Sequence, residues 1–276
     1  MIFYTSENEE LIFNSARQKA TSALQETLKE FYGKEEISER IFAQRWLERL
    51  SQKKDVYAKG WYSPPPYGTA VLSGDRLSFD SLRNEKFWPS ERIIDWRDGF
   101  LYAYCSPVDK ISGYMGDMSV TLYFGKDEKI KEHFRNCRAP AEDIFDHLED
   151  SEGPGELFRY SQEIFRSRGL LSNVISRTDS LPSNLGHTFA HLEEIADKAE
   201  LTKEEIDHLS SSRHFLNQGA DFVFEEGLQF TVVPQLLSLN DASFPKVTHH
   251  FVVKKREDGF IVCNDIDELL EEFELK

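Results

Sequence analysis

Apolar positions recur at helical spacing in residues 8–32, at Leu11, Ile12, Ala16, Ala20, Ala23, Leu24, Leu28 and Phe31. This period predicts an amphipathic helix, and Gly33 ends it by offering the left-handed conformation that other residues avoid. Ile41, Phe42, Trp46 and Leu50 predict a second helix over 36–51. At 60–68 the period stops: GWYSPPPYG places three prolines between glycines, which neither a helix interior nor a central strand tolerates. Alternation then takes over, and Thr69–Leu72, Phe100–Tyr104 and Val120–Phe124 read as strands. Helical spacing returns over 127–149 and 154–167, where Pro154 suits a first turn. A polar stretch at 172–186 precedes two further expected helices, 188–198 and 202–215, the second with Thr202 and Glu205 spaced as a capping box. Phe222–Phe224, Leu228–Val233, His249–Lys254 and Phe260–Cys263 predict strands, and a short acidic helix is expected from Asp265.

Helices, strands, helices and strands in succession predict an α+β fold, with helices on one face of a curved antiparallel sheet. No repeat or flexible linker interrupts 1–276, so one domain is expected, with its N-terminal helices at about 8–51. Composition supports a large core: 39% of the residues are apolar and 21 are Phe. A net charge of −16 repels phosphate backbones and argues against general nucleic-acid binding. It leaves divalent cations and basic peptides as partners. No apolar run reaches the ~18 residues of a membrane span. The start, MIFYTSENEEL, lacks the basic flank and apolar core of a signal peptide. Cys105, Cys137 and Cys263 form no pairing framework and are expected to be reduced core thiols of a cytoplasmic protein.

The stretch SGYMGDMSVTLYFG, residues 112–125, sets Asp117 at the mouth of a strand. A buried carboxylate needs a partner, because an unpaired charge in an apolar medium is costly. The partner is a turn donor, a base or a metal ion. His187 follows Gly186 in SNLGHTF, and Glu257 lies in a turn of KKREDGFIV beside three basic residues. One imidazole with two carboxylates suits Mn, Fe, Co or Zn; turn acids with a hydrogen-bonded histidine are the alternative. His249 and His250 are neighbours in an expected strand, so they point to opposite faces. His249 is a candidate substrate contact or substitute ligand, and Tyr67 a candidate aromatic wall of a groove. No nucleophile elbow and no phosphate-binding glycine loop is present.

These segments, in this order, resemble the pita-bread metallopeptidases: methionine aminopeptidase, proline aminopeptidase, prolidase and creatinase. GYMGDMSVTLYFG is similar to the strand that carries the family's second ligand aspartate, and SNLGHTF to the loop ending in its ligand histidine. EEGLQFTVVP is similar to its G-M-x-F-T-x-E-P strand, and KKREDGFIVCNDIDELL to its closing hairpin. The resemblance implies a pita-bread fold and assigns Asp117, His187 and Glu257 as metal ligands. It also implies departures. Tyr104 or Ser106 stands where the family has its first aspartate, and Val233 stands where a glutamate precedes the proline. The first histidine in the chain is His133, so the upstream substrate histidine is missing, and His191 with Glu193 and Glu194 only loosely matches the downstream one.

A dinuclear hydrolase holds each ion in its own cage, about 3.5–4 Å apart. Without terminal ligands, one divalent ion at Asp117, His187 and Glu257 is the most that the resemblance implies. Two functions follow from it. One is a divergent aminopeptidase- or prolidase-like enzyme with a degraded site, acting on a small peptide or amide. The other is a non-catalytic pseudo-peptidase, without metal, that binds a peptide or protein partner in the former cleft; homodimers are among the assemblies expected.

Overall fold

The computed structural model describes residues 2–4, 15–62, 68–172, 179–194, 198–263 and 265–276. In chain order the elements are β1 (Ile2–Tyr4), α1 (Ser15–Phe31), α2 (Glu39–Gln52), β2 (Val56–Tyr57), β3 (Thr69–Ser73), β4 (Phe100–Cys105), β5 (Val108–Asp109) and β6 (Met118–Tyr123). There follow α3 (Glu128–Arg138), α4 (Pro140–Asp146), α5 (Pro154–Ser167), β7 (Leu170–Ser172) and α6 (Lys203–Ser211). The chain closes with β8 (Gln229–Val232), β9 (Gln235–Ser238), β10 (Val247–Thr248), β11 (Phe251–Arg256), β12 (Gly259–Cys263) and α7 (Asp267–Glu272). They fall into two compact units, each drawn from separated stretches. One is Met1–Ser6, Asp127–Phe189 and Arg213–Lys276; the other is Glu7–Lys126 and Ala190–Ser212. Because both are discontinuous, no linker composition marks the division.

In the unit built on residues 7–126, α1 and α2 form a helix pair. Its contact face on α1 is small, with Ala16, Ala20 and Ala23 fully buried, which lets Trp46 of α2 come in and donate its indole N–H to Ala20 O at 3.0 Å. Thr69 Oγ1 donates to Ala43 O at 2.9 Å and so ties β3 to α2. The antiparallel sheet runs β3-β4-β6, with Ala103 opposite Val71 on one side and Val120 on the other. Residues of the opposite parity, Ala70, Leu72 and Tyr102, pack with Leu77, Phe79, Leu82 and Phe87 from the segment after β3. Strands β2 and β5 form a separate short pair.

The other unit carries the sheet β1-β12-β11-β8, antiparallel except for the parallel pair of β1 with β12, and the sheet β10-β9-β7. Helices α3, α4 and α5 accompany them. The expected helix over 127–149 is divided at Pro140, whose missing N–H suits the first turn of α4 and breaks the run. Two expectations are corrected. Residues 188–194 are not helical: Thr188 and His191 make β-bridges, to Phe230 and Tyr114. Phe222–Phe224 is not a strand, although Phe224 stacks on Phe230 with ring centroids 4.8 Å apart. The three cysteines are buried free thiols, as expected. Among the described residues no helix is long and apolar enough to cross a membrane.

Candidate functional site

Asp117 stands immediately before β6 and is 1% exposed. Its Oδ1 accepts the indole N–H of Trp61 at 2.6 Å, and its carbonyl accepts from Arg17 Nη1 at 2.8 Å. Trp61 reaches it because of Gly60, whose φ is +65°. A Cβ at Gly60 would lie 1.7 Å from Ser106 O, so only glycine lets the chain turn here. Asp109, eight positions earlier, closes a turn of its own: its Oδ1 accepts from the N–H groups of Ile111 and Ser112 at 2.9 and 2.8 Å. Burial works to raise its pKa, but these bonds outweigh it and the carboxyl stays below its usual range.

The two positions where the resemblance leads one to expect a first aspartate carry neutral hydroxyls. Tyr104 is pushed well above the usual phenol range, first by burial and then by the negative charge of Asp117. Tyr102 moves the same way, also chiefly through burial. Both phenols therefore stay protonated at neutral pH and supply no oxygen anion. Ser106 Oγ accepts the backbone N–H of Tyr62 at 3.1 Å. The neighbourhood of Asp117 is thus one carboxylate among an indole, phenols, a serine hydroxyl and the Arg17 guanidinium.

His187 belongs to the other unit. The segment 185–189 runs beside β8: Val233 N–H donates to Leu185 O at 2.7 Å, Thr231 N–H to His187 O at 2.8 Å, and Phe189 N–H to Gln229 O at 2.8 Å. Gly186 makes this approach feasible, since a Cβ there would lie 2.0 Å from Thr231 O. His187 Nδ1 lies 3.0 Å from Thr188 O. A carbonyl only accepts, so Nδ1–H is the donor there.

Glu257 is not brought beside His187. On the far side of β8, Thr231 pairs with Val252 of β11, and Glu257 lies five positions further along, in the exposed turn before β12. Five residues of strand span about 16 Å, too far for the two side chains to close on one ion. The sequence expectation of a shared ligand role fails on this register. Asp258, next in the turn, pairs with Arg256 at 3.1 Å.

Val233, half-buried, occupies the position where the resemblance leads one to expect a glutamate. Beside it, His249 donates its backbone N–H to Pro234 O at 3.3 Å. The His249 ring is 1% exposed, and its Nε2 has no hydrogen-bond partner among the described residues. Burial first, and then the Arg138 guanidinium, bring its pKa down to about 3. The ring is thus neutral, as a ligand must be, but the cation that repels its proton also repels a metal ion. His250 is buried as well, at 3% exposure, so both faces of this segment are covered. His191, exposed, packs its ring on Tyr114 at 5.0 Å. Tyr67 lies outside the described residues.

The donors present do not fit a resident metal: Asp117 has an indole on one oxygen and the Arg17 guanidinium at its carbonyl, no second carboxylate is brought to it, and Glu257 is separated from His187. Among the described residues no group of three His, Cys, Asp or Glu gathers to hold an ion. Trp61 and Arg138, which decide this, were not singled out from the sequence; a tryptophan directly after a glycine at the edge of a proline loop was the one available signal for the first.

The sequence matches no family model and no curated protein. Solved structures do match. The X-Pro aminopeptidase of Thermotoga maritima is 15% identical, aligns over 94% of this chain and 61% of its own, and has a TM-score of 0.62. The prolidase of Pyrococcus horikoshii is 17% identical over 93% of this chain and 62% of its own, with a TM-score of 0.60. The methionine aminopeptidase of Rickettsia prowazekii is 13% identical over 95% and 99%, with a TM-score of 0.61. The chain thus has the α+β pita-bread fold of these peptidases and spans about three fifths of the length of the first two.

Proposed function

We propose that this chain is a non-catalytic relative of the pita-bread peptidases that binds a short peptide or an extended segment of a protein partner without cleaving it. The observation that carries the reading is the 2.6 Å bond from Trp61 Nε1 to Asp117 Oδ1. The bond commits one carboxylate oxygen to a protein donor, and an ion at the other would face neutral phenols and a serine rather than a second carboxylate. Val233 and the Arg138-flanked His249 support the same reading on the other unit. The peptide class comes from the fold, since matched structures are named as X-Pro aminopeptidase, prolidase and methionine aminopeptidase. Asp117 and His191, both in the unit built on residues 7–126, are the side chains proposed to meet it.

The test is metal analysis of protein repleted with Mn, Co and Zn, followed by incubation with Xaa-Pro dipeptides and Met-initiated peptides. The reading expects no stoichiometric metal, no released amino acid, and calorimetric binding of peptide. Turnover in any metal-loaded sample sinks it. A second reading, a single-metal enzyme, is favoured by the bond from His187 Nδ1 to Thr188 O, the kind of backbone bond that orients metal-ligating imidazoles. One metal per chain, lost in His187→Ala, would establish it instead.

A further inference from the structure

The unit holding α3 and α5 contains a cavity of about 590 Å³, lined by none of the residues discussed above except His133. One wall is aromatic: the imidazole of His133 stacks on Phe244 with centroids 4.6 Å apart and planes 7° from parallel. His133 Nε2 lies 3.0 Å from Pro245 O, which fixes the proton there, and burial lowers the ring's pKa. The plate is therefore flat, neutral and rigid, with the Phe244 ring partly exposed.

Other residues of the lining offer paired donors and acceptors. Asn136 uses Nδ2 to donate to Arg168 O at 3.3 Å, which leaves Oδ1 as its acceptor. Ser238 Oγ accepts from the N–H groups of Asn240 and Asp241 at 3.2 and 3.1 Å, so its hydroxyl proton is the group left to donate. Asn240 adds a whole amide, and it is Gly169, with φ +70°, that admits it: a Cβ at Gly169 would lie 2.5 Å from Asn240 Nδ2. The charged side chains of the lining balance one another: Glu128 and Glu132 are acidic, Lys129 and Arg168 basic. No excess of either sign is left to select a charged ligand.

We infer that this cavity binds an uncharged nitrogen heterocycle of nucleobase type, as the free base or the nucleoside, stacked on Phe244 and read by Asn136, Ser238 and Asn240. This goes beyond the peptide reading and involves none of the residues proposed to meet a peptide. Stacking on an aromatic plate suits a flat ring of any sequence of heteroatoms. The amide and hydroxyl groups then choose among rings by their donor and acceptor edges.

The experiment is calorimetry and saturation-transfer NMR of the intact chain with adenine, guanine, adenosine, guanosine, cytidine, uridine and adenosine 5′-monophosphate. At least one base or nucleoside is expected to bind with a Kd below about 1 mM. Comparison of base with nucleoside separates the two forms. The monophosphate is expected to bind no more tightly than adenosine. Phe244→Ala and, at an exposed position that spares the fold, Asn240→Ala are each expected to weaken binding by about tenfold or more. No transfer to any probe overturns the inference. So does equal binding by Asn240→Ala, tighter binding of the monophosphate, or competition by inorganic phosphate.

Discussion

Trp61 Nε1 donates to Asp117 Oδ1 at 2.6 Å, across 56 positions of sequence, and both side chains are buried. The bond ties the segment before the proline loop to the start of β6. Trp61→Phe keeps the aromatic body and removes the donor. It is expected to lower unfolding stability by about 2 kcal/mol, the usual cost of a lost bond to a charged acceptor. The check is the urea midpoint at neutral pH. An unchanged midpoint would mean that Asp117 is held by other partners.

His249 predicts a pH dependence. Its folded pKa, brought down to about 3 chiefly by burial, lies below the ~6.5 of an unfolded histidine. Between those values the unfolded chain binds the extra proton, so stability rises with pH across the window. The contribution is complete above the unfolded value and is lost progressively as pH falls toward the folded one. Urea midpoints of the wild type should therefore fall from pH 7 to pH 5, and those of His249→Gln should fall less steeply. Parallel slopes would count against the assignment.

Glu39, at the start of α2, is fully buried and accepts from Ser73 N–H and Oγ at 2.7 and 2.9 Å and from Ser90 N–H and Oγ at 3.1 and 2.8 Å. Arg76 is its ion-pair partner. Arg76→Ala strands a buried carboxylate and is expected to cost about 3 kcal/mol. Exposed Arg92, paired with Asp75, makes the control: Arg92→Ala is expected to cost less than about 1 kcal/mol. Chemical denaturation of both variants decides whether burial sets the difference.

Gly186→Ala places a methyl 2.0 Å from Thr231 O, on backbone that cannot retreat without breaking β8. The expected loss is about 2 kcal/mol or more, together with faster amide exchange at Thr231 and Val233, whose N–H groups pair with this segment. Protection at wild-type levels would show that the 185–189 pairing is not needed.

Long elements were legible. The spacing of Ile41, Phe42, Trp46 and Leu50 predicts α2 within three residues at each end, and alternation predicts β3, β4 and β6. The two-residue strands β2, β5 and β10 were not, since two residues carry no period. Residues 188–194 carry a helical pattern but pair with other strands, because the backbone of 185–189 is taken up along β8. At the candidate site, Asp117 and His187 stand out in their motifs, whereas the separation of Glu257 from His187 depends on the register of β8 with β11 and has no local signal.

The sequence alone determined the kinds of element, the absence of carboxylates at 106 and 233, and the acidic balance, because these are properties of covalent structure and of spacing a few residues long. Only the tertiary structure decided that an indole serves Asp117, that a guanidinium flanks His249, and that Glu257 lies in an exposed turn. Each depends on close approach between residues far apart in sequence. Such approach is set by strand register and by glycines that let backbones touch, and neither leaves a local signature in the chain.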